Sequence, residues 1–163
     1  MISVKEFATR NDIPHYTRET MSTLLNQQLA DTFALYSQIK QAHWNVKGAD
    51  FYQLHLLFDE VAASIFEYID MLAERVTALG GYARGTVRMA SSASRLAEFP
   101  TELTEGRQLV VVLAERMAQY GATTRAAIDT AAEAEDQSTA DLFTQISRTV
   151  DKQLWFLEAH LQR

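Results

Sequence analysis

His55, Asp59, Asp70 and Glu74 are the residues whose types and spacing point to chemistry. Each pair, His55–Asp59 and Asp70–Glu74, is spaced i,i+4, so on a helix each projects from one face and can present two donors to one metal ion. His43 adds a fifth donor ahead of them. The sequence contains no cysteine, which excludes thiolate zinc sites, iron–sulfur clusters and disulfides. The remaining nitrogen and oxygen donors suit iron, manganese or zinc. The midpoints of the two pairs are about 22 Å apart at the helical rise, so one chain cannot close both on a single ion. An antiparallel copy with a two-fold axis near Ser64 and Ile65 can. His55 and Asp59 of one chain then meet Asp70 and Glu74 of the other, and symmetry makes the site twice per dimer. Small Ala62 and Ala63 beside the axis would permit close approach. Any one of these polar residues alone would read as a solvated helix face; the set on one arc favours a site.

These side chains must be carried on long helices. Apolar positions at helical spacing predict a first helix over Thr17–Val46, with Leu24, Leu25, Leu29, Phe33, Tyr36 and Ile39 on its inner side, after a short tail at 1–16. Gly48 ends it, and Asp50 is expected to cap a second helix over Phe51–Leu79. On that helix Leu54, Leu57, Phe58, Val61, Ile65, Tyr68, Ile69, Leu72, Val76 and Leu79 form the core arc, and the four chemical residues occupy another. Gly80-Gly81 is a stop. The stretch Tyr82 to Pro100, rich in Ser, Ala, Gly and Arg, is expected to hold one short helix around Ser92 to Ala97. A third long helix is predicted from Thr104 to Ala134. After a turn at Glu133 to Asp136, Ser138 with Asp141 resembles a capping box opening a last helix to His160.

Short links join the first helix to the second and the third to the fourth, so each pair is antiparallel. The middle link is long enough to run the length of a helix and start the third parallel to the second. The fold class is therefore all-α: a ferritin-like four-helix bundle with a long crossover between helices two and three carrying a short extra helix, in one domain over 1–163. With 47% apolar and 22% charged residues the chain can bury a single core. No apolar run approaches the ~18 residues of a membrane span. The N-terminus lacks an apolar signal core, so a cytoplasmic location is expected. The formal charge of −6 argues against a surface devoted mainly to nucleic acid.

The run His43-Trp-Asn-Val-Lys-Gly48, followed by Phe51, Leu54-His55, Phe58-Asp59 and Asp70-Met-Leu-Ala-Glu-Arg75, closely resembles the signature of the Dps family, bacterial mini-ferritins. The similarity extends over nearly the whole chain, including Thr9-Arg-Asn-Asp12, Lys40-Gln-Ala and Leu154-Trp-Phe156. The resemblance implies a hollow dodecamer that oxidises Fe(II), preferably with hydrogen peroxide, and stores ferric mineral as protection against oxidative damage. It implies His43, His55 and Asp59 from one subunit and Asp70 and Glu74 from its two-fold mate as ligands, with one or two irons per site. That pairing matches the one obtained from the helical rise. Trp44 could intercept stray oxidising equivalents or merely pack at an interface. Lys40 could hydrogen-bond near the site or be an ordinary exposed lysine. The family builds acidic three-fold pores near the start of the last helix, where Asp136 and Asp141 lie; capping is the other role open to them. Few cations near either end make DNA binding weak or absent. A nucleoid-compacting protein, or a shell holding zinc or manganese without redox turnover, are the competing functions.

Overall fold

The computed structural model describes residues 5–162. It contains α1 (His15–Asn45), α2 (Phe51–Ala78), α3 (Val87–Ala93), α4 (Gly106–Glu133) and α5 (Gln137–Ala159). Among the described residues there is no strand, only an isolated bridge between Lys47 and Glu105. The four long helices form the expected bundle. α1 lies along α2 and α4 along α5, with α1 also touching α4 and α2 touching α5.

Side-chain bonds fix the directions. Gln28 pairs with Thr124 and Thr32 with Tyr120, so α1 and α4 run oppositely. Tyr68 pairs with Thr149 and Arg75 with Thr139, so α2 and α5 also run oppositely. The third long helix is therefore parallel to the second, as a long crossover requires. The predicted core arc of α2 is buried, with only Leu57 partly exposed. At the centre lie Phe58, Ile65, Leu72, Leu109, Tyr120 and Phe143, all inaccessible.

Three expectations are corrected by the hydrogen bonding. The short helix is Val87–Ala93, not Ser92 to Ala97. Thr86 caps it by accepting from the Met89 amide at 3.3 Å. Asp31, buried inside α1, ends the helical path by accepting from Ser94 Oγ, the Arg95 amide and the Arg95 guanidinium. Those bonds hold the crossover against α1. Asp50 occupies the N-cap position of α2, but its carboxylate makes no capping bond. The last helix is capped by Asp136 rather than by a box built on Ser138 and Asp141.

The turn after α2 needs a glycine. Gly80 has φ +83°, and a Cβ there would lie 2.8 Å from the Phe7 carbonyl oxygen. The Phe7 amide in turn donates to the Gly80 carbonyl at 2.8 Å. The segment before α1 is thus tied to the end of α2, and Arg18 strengthens the junction by donating to the carbonyls of Ile13 and Leu79.

Asp136 is the most heavily committed carboxylate at the other bundle joint. It is 2% exposed, accepts from the Thr139 amide and hydroxyl, and takes two bonds from Arg75. Burial pushes its pKa up, but the Thr139 bonds and the Arg75 guanidinium outweigh that and hold it below the usual carboxylate value. A depressed carboxyl adds stability above the unfolded pKa, and that contribution is lost as pH falls through the folded one. Asp136→Asn should therefore lose about 3 kcal/mol at neutral pH. Its deficit relative to the native chain should shrink below about pH 4. Chemical denaturation of both proteins across pH checks this; equal stability at pH 7 would refute the assigned role.

Candidate metal centre

The link between α1 and α2 is five residues long, and it folds His43 back onto His55. The two imidazoles stack with centroids 3.9 Å apart and planes 20° from parallel. Each also bonds to the other's backbone: His43 Nδ1 lies 2.7 Å from the His55 carbonyl oxygen, and His55 Nδ1 lies 2.9 Å from that of His43. A carbonyl oxygen only accepts, so each Nδ1 must carry the proton. In the neutral rings this leaves both Nε2 lone pairs available, the state in which histidine binds metal. The rings are thus fixed in tautomer and orientation by the chain itself.

Asp59 lies one helical turn beyond His55. Its Oδ1 is 3.9 Å from His43 Nε2 and accepts from Lys40 Nζ at 2.7 Å. That lysine bond is the main reason the Asp59 pKa is lowered, with the charge of Lys40 and the two imidazoles adding to it against some desolvation. Asp59 therefore presents an anionic carboxylate. Lys40 also sits 5.7 Å over the Trp44 ring, and Trp44 is 61% exposed. Of the two roles open to Lys40, the structure shows the hydrogen-bonding one, with Asp59 as its partner.

Asp70 and Glu74 lie farther along α2, exposed and apart from this cluster. Among the described residues, no three His, Asp or Glu side chains of one chain gather closely enough to hold a metal. The structure stacks His43 on His55 and sets Asp59 3.9 Å from His43, short of a three-ligand set, and it leaves Asp70 and Glu74 farther along α2 without joining them to that group. Asp59, Ala63, Phe66, Asp70 and Glu74 follow one another at steps of three or four, so they form a single stripe. Within it Phe66 is 55% exposed and has the Tyr36 ring beside it, at 5.2 Å between ring centroids. Leu56 and Tyr52 add exposed apolar surface nearby. Arg75 reaches Asp136 and Thr139 from the turn bearing Glu74, which steadies that end of the helix.

The two residues expected near a pore differ. Asp136 is turned inward as the α5 cap, so its carboxylate is taken up within the subunit. Asp141 is exposed on α5.

Residues 22–163 match the Ferritin-like domain family. The DNA protection during starvation protein of Agrobacterium fabrum is 41% identical over 159 residues, covering 98% of each chain. DpsC from Streptomyces coelicolor superposes with a TM-score of 0.91 at 35% identity, over 98% of this chain and 92% of that one. The chain belongs to the Dps family of ferritin-like proteins. A Vibrio cholerae Dps protein, described as a member of a broad superfamily of ferritin-like diiron-carboxylate proteins, superposes at 0.88 with 25% identity, over 95% of this chain and 99% of that one. No described helix of this Dps chain is long and apolar enough to cross a membrane.

Lys40 occupies one side of Asp59, so a binding cation must displace it or share the carboxylate. An ion pair with a solvent-exposed carboxylate is weak, but it competes for the oxygen a cation needs. Lys40→Met should therefore tighten anaerobic Fe(II) binding, by no more than about a few-fold. It should also move the Asp59 titration upward, because the bond that lowers it is gone. Calorimetry with Fe(II) and carboxyl NMR titration test both, and unchanged affinity would show that Lys40 does not compete.

Proposed function

We propose that this protein is a ferroxidase and iron-storage mini-ferritin whose reaction centres form between two-fold-related subunits. The observation that carries the reading is a numerical coincidence on α2. His55 and Glu74 average to position 64.5, and so do Asp59 and Asp70. A single antiparallel register therefore pairs both sets at once. In that register His43, His55 and Asp59 supply one half of each site, and Asp70 and Glu74 of the mate supply the other. The exposed Phe66 and small Ala63 between the acidic groups support a helix-to-helix contact there.

Iron is the substrate that best fits the donors. Two imidazole nitrogens and three carboxylates hold Fe(II) without saturating it, leaving room for an oxidant. Hydrogen peroxide is the preferred oxidant in this reading. One peroxide takes one electron from each of two Fe(II) ions and leaves as two hydroxides, so no hydroxyl radical is released. The ferric product is stored inside a hollow dodecamer, in the bacterial cytoplasm. Asp141 is the candidate for the acidic pore that admits Fe(II), where a ring of carboxylates would concentrate cations. Trp44 stands close enough to Lys40 and the site to intercept a stray oxidising equivalent. With a net charge of −6, contact with DNA is weak or absent at physiological salt.

Two measurements test this. Stopped-flow absorbance of Fe(II)-loaded protein should show fast ferric formation with peroxide and slow formation with dioxygen; no acceleration over free iron with either would remove the ferroxidase assignment. The second tests the shared site. Asp59→Ala with His55→Ala, and separately Asp70→Ala with Glu74→Ala, should each lose fast oxidation while still assembling. Co-refolding the two variants at equal amounts makes half the dimers mixed, and each mixed dimer regains one of its two sites. About a quarter of the native rate should return. No recovery in verified mixed assemblies would place the site within one subunit.

A further inference from the structure

Phe51 is an aromatic neighbour of the candidate centre that takes no part in the ligand set. It is the first residue of α2, one helical turn before His55. Its ring centroid lies 5.2 Å from that of the His55 imidazole, with the planes 32° apart. The His43 ring stacks on the same imidazole at 3.9 Å and 20°. A ring stacked that closely occupies one face of His55, which leaves Phe51 the other face or the rim. Phe51 is 41% exposed and lies outside the buried core, so its ring packs at the centre rather than in the bundle interior.

The chain between α1 and α2 fixes where that ring stands. The Val46 amide donates to the Ala42 carbonyl at 2.9 Å and finishes α1. The Lys47 amide donates to the Thr104 carbonyl at 2.8 Å, which ties the link to the residues just before α4. Gly48 then turns the chain at φ +112°, a left-handed conformation that a Cβ would strain. Its carbonyl accepts from the Phe51 amide at 3.1 Å. The first turn of α2 is thereby set, and the i,i+4 relation brings the Phe51 side chain to His55.

The His55 ring has one way to lose its alignment. Half a turn about Cβ–Cγ exchanges Nδ1 with Cδ2 and Nε2 with Cε1. The bond to the His43 carbonyl is then lost, and a C–H takes the place of the metal-binding lone pair. The torsion concerned is broad and roughly two-fold, and one bond of 2.9 Å to the His43 carbonyl opposes the turn. A turning ring must pass edge-on between its neighbours. His43 is 8% exposed and bonded to the His55 carbonyl at 2.7 Å, so it does not give way. The freedom of the His55 ring is therefore decided by Phe51. We infer, on the reading of His55 as an iron ligand, that Phe51 is a positioning residue for iron oxidation: it closes the imidazole against His43 and keeps Nε2 turned to the incoming Fe(II). Groups that orient a metal-bound histidine from outside the ligand set are worth about 10- to 100-fold in metal affinity.

Anaerobic titration of the assembled protein with Co(II), a redox-stable ion whose visible absorption reports its ligands, tests this. The native protein and Phe51→Tyr, which keeps the ring, give the same spectrum and the same affinity. Phe51→Ala binds Co(II) about tenfold more weakly. Its spectrum moves toward that of His55→Ala, while assembly stays native. Unchanged affinity and spectrum in Phe51→Ala overturn the role given to Phe51. So does weaker binding with an unmoved spectrum, which marks a general loosening of the helix start. Should the alanine chain fail to assemble, Phe51→Val, which keeps apolar bulk there without a ring, is read in the same way. A His55→Ala spectrum identical to the native one would instead remove His55 as a ligand, and with it both the shared-site reading and the role of Phe51.

Discussion

The reciprocal bonds between His43 and His55 are the constraint on which the rest of the candidate centre depends. Each ring gives its Nδ1 proton to the carbonyl of the residue that carries the other ring. This is possible only because α1 and α2 are antiparallel and joined by a five-residue link, which brings the last turn of one beside the first turn of the other. Lengthening the link or shifting either helix by one residue would rotate one ring away from its acceptor by about 100°. The backbone path, side-chain tautomer and availability of both Nε2 atoms are therefore one decision. His43 is almost buried, at 8% exposed, so the stacked pair is also a packing contact that helps close the end of the bundle.

The same economy appears at the other polar joints. Asp31 is inside α1 and 1% exposed, yet it costs little because Ser94 and Arg95 satisfy both of its oxygens. Gln28, Thr124, Thr32 and Tyr120 form a buried chain across α1 and α4. Desolvation raises the Tyr120 phenol far above its ordinary pKa, so it remains neutral and serves as a structural hydrogen-bonding group. These groups specify which helix neighbours which and where the crossover must land, a precision that apolar contacts alone supply poorly.

Much of this was legible in the sequence because helical periodicity and link lengths carry it. The α2 core arc, the four long helices and the crossover follow from local spacing. The failures also have a common cause. The extent of α3 depends on Asp31, some sixty residues earlier, which draws Ser94 and Arg95 out of the helix. The α5 cap depends on Arg75 and Thr139 favouring Asp136 over Ser138. In both cases one deciding partner, Asp31 or Arg75, is some sixty positions away and outside any local window. A hydrogen bond near the site is one of two roles open to Lys40 from the sequence, and choosing it over plain exposure needs the fold, since its partner Asp59 is nineteen positions away. Asp70 and Glu74 are the inverse case: spacing singles them out as candidates, while the single chain leaves them exposed and uncombined.

That last contrast bears on why the chemistry would be divided between subunits. Three carboxylates gathered in one chain would repel each other before any cation arrived, and the isolated subunit would have to fold against that repulsion. Dividing them leaves one carboxylate with the histidines, where Lys40 neutralises it, and two on an exposed surface where water screens them. In the proposed arrangement the repulsive term would be met only on association, at an interface where the exposed Phe66 would supply apolar contact to offset it. Metal binding and subunit pairing would then be linked: a cation bound between the halves would relieve the charge they oppose to each other and favour the paired state by that amount. The negative charge of a divided site would thus carry no cost in the folding of one subunit, because that cost would be deferred to the step that creates the site.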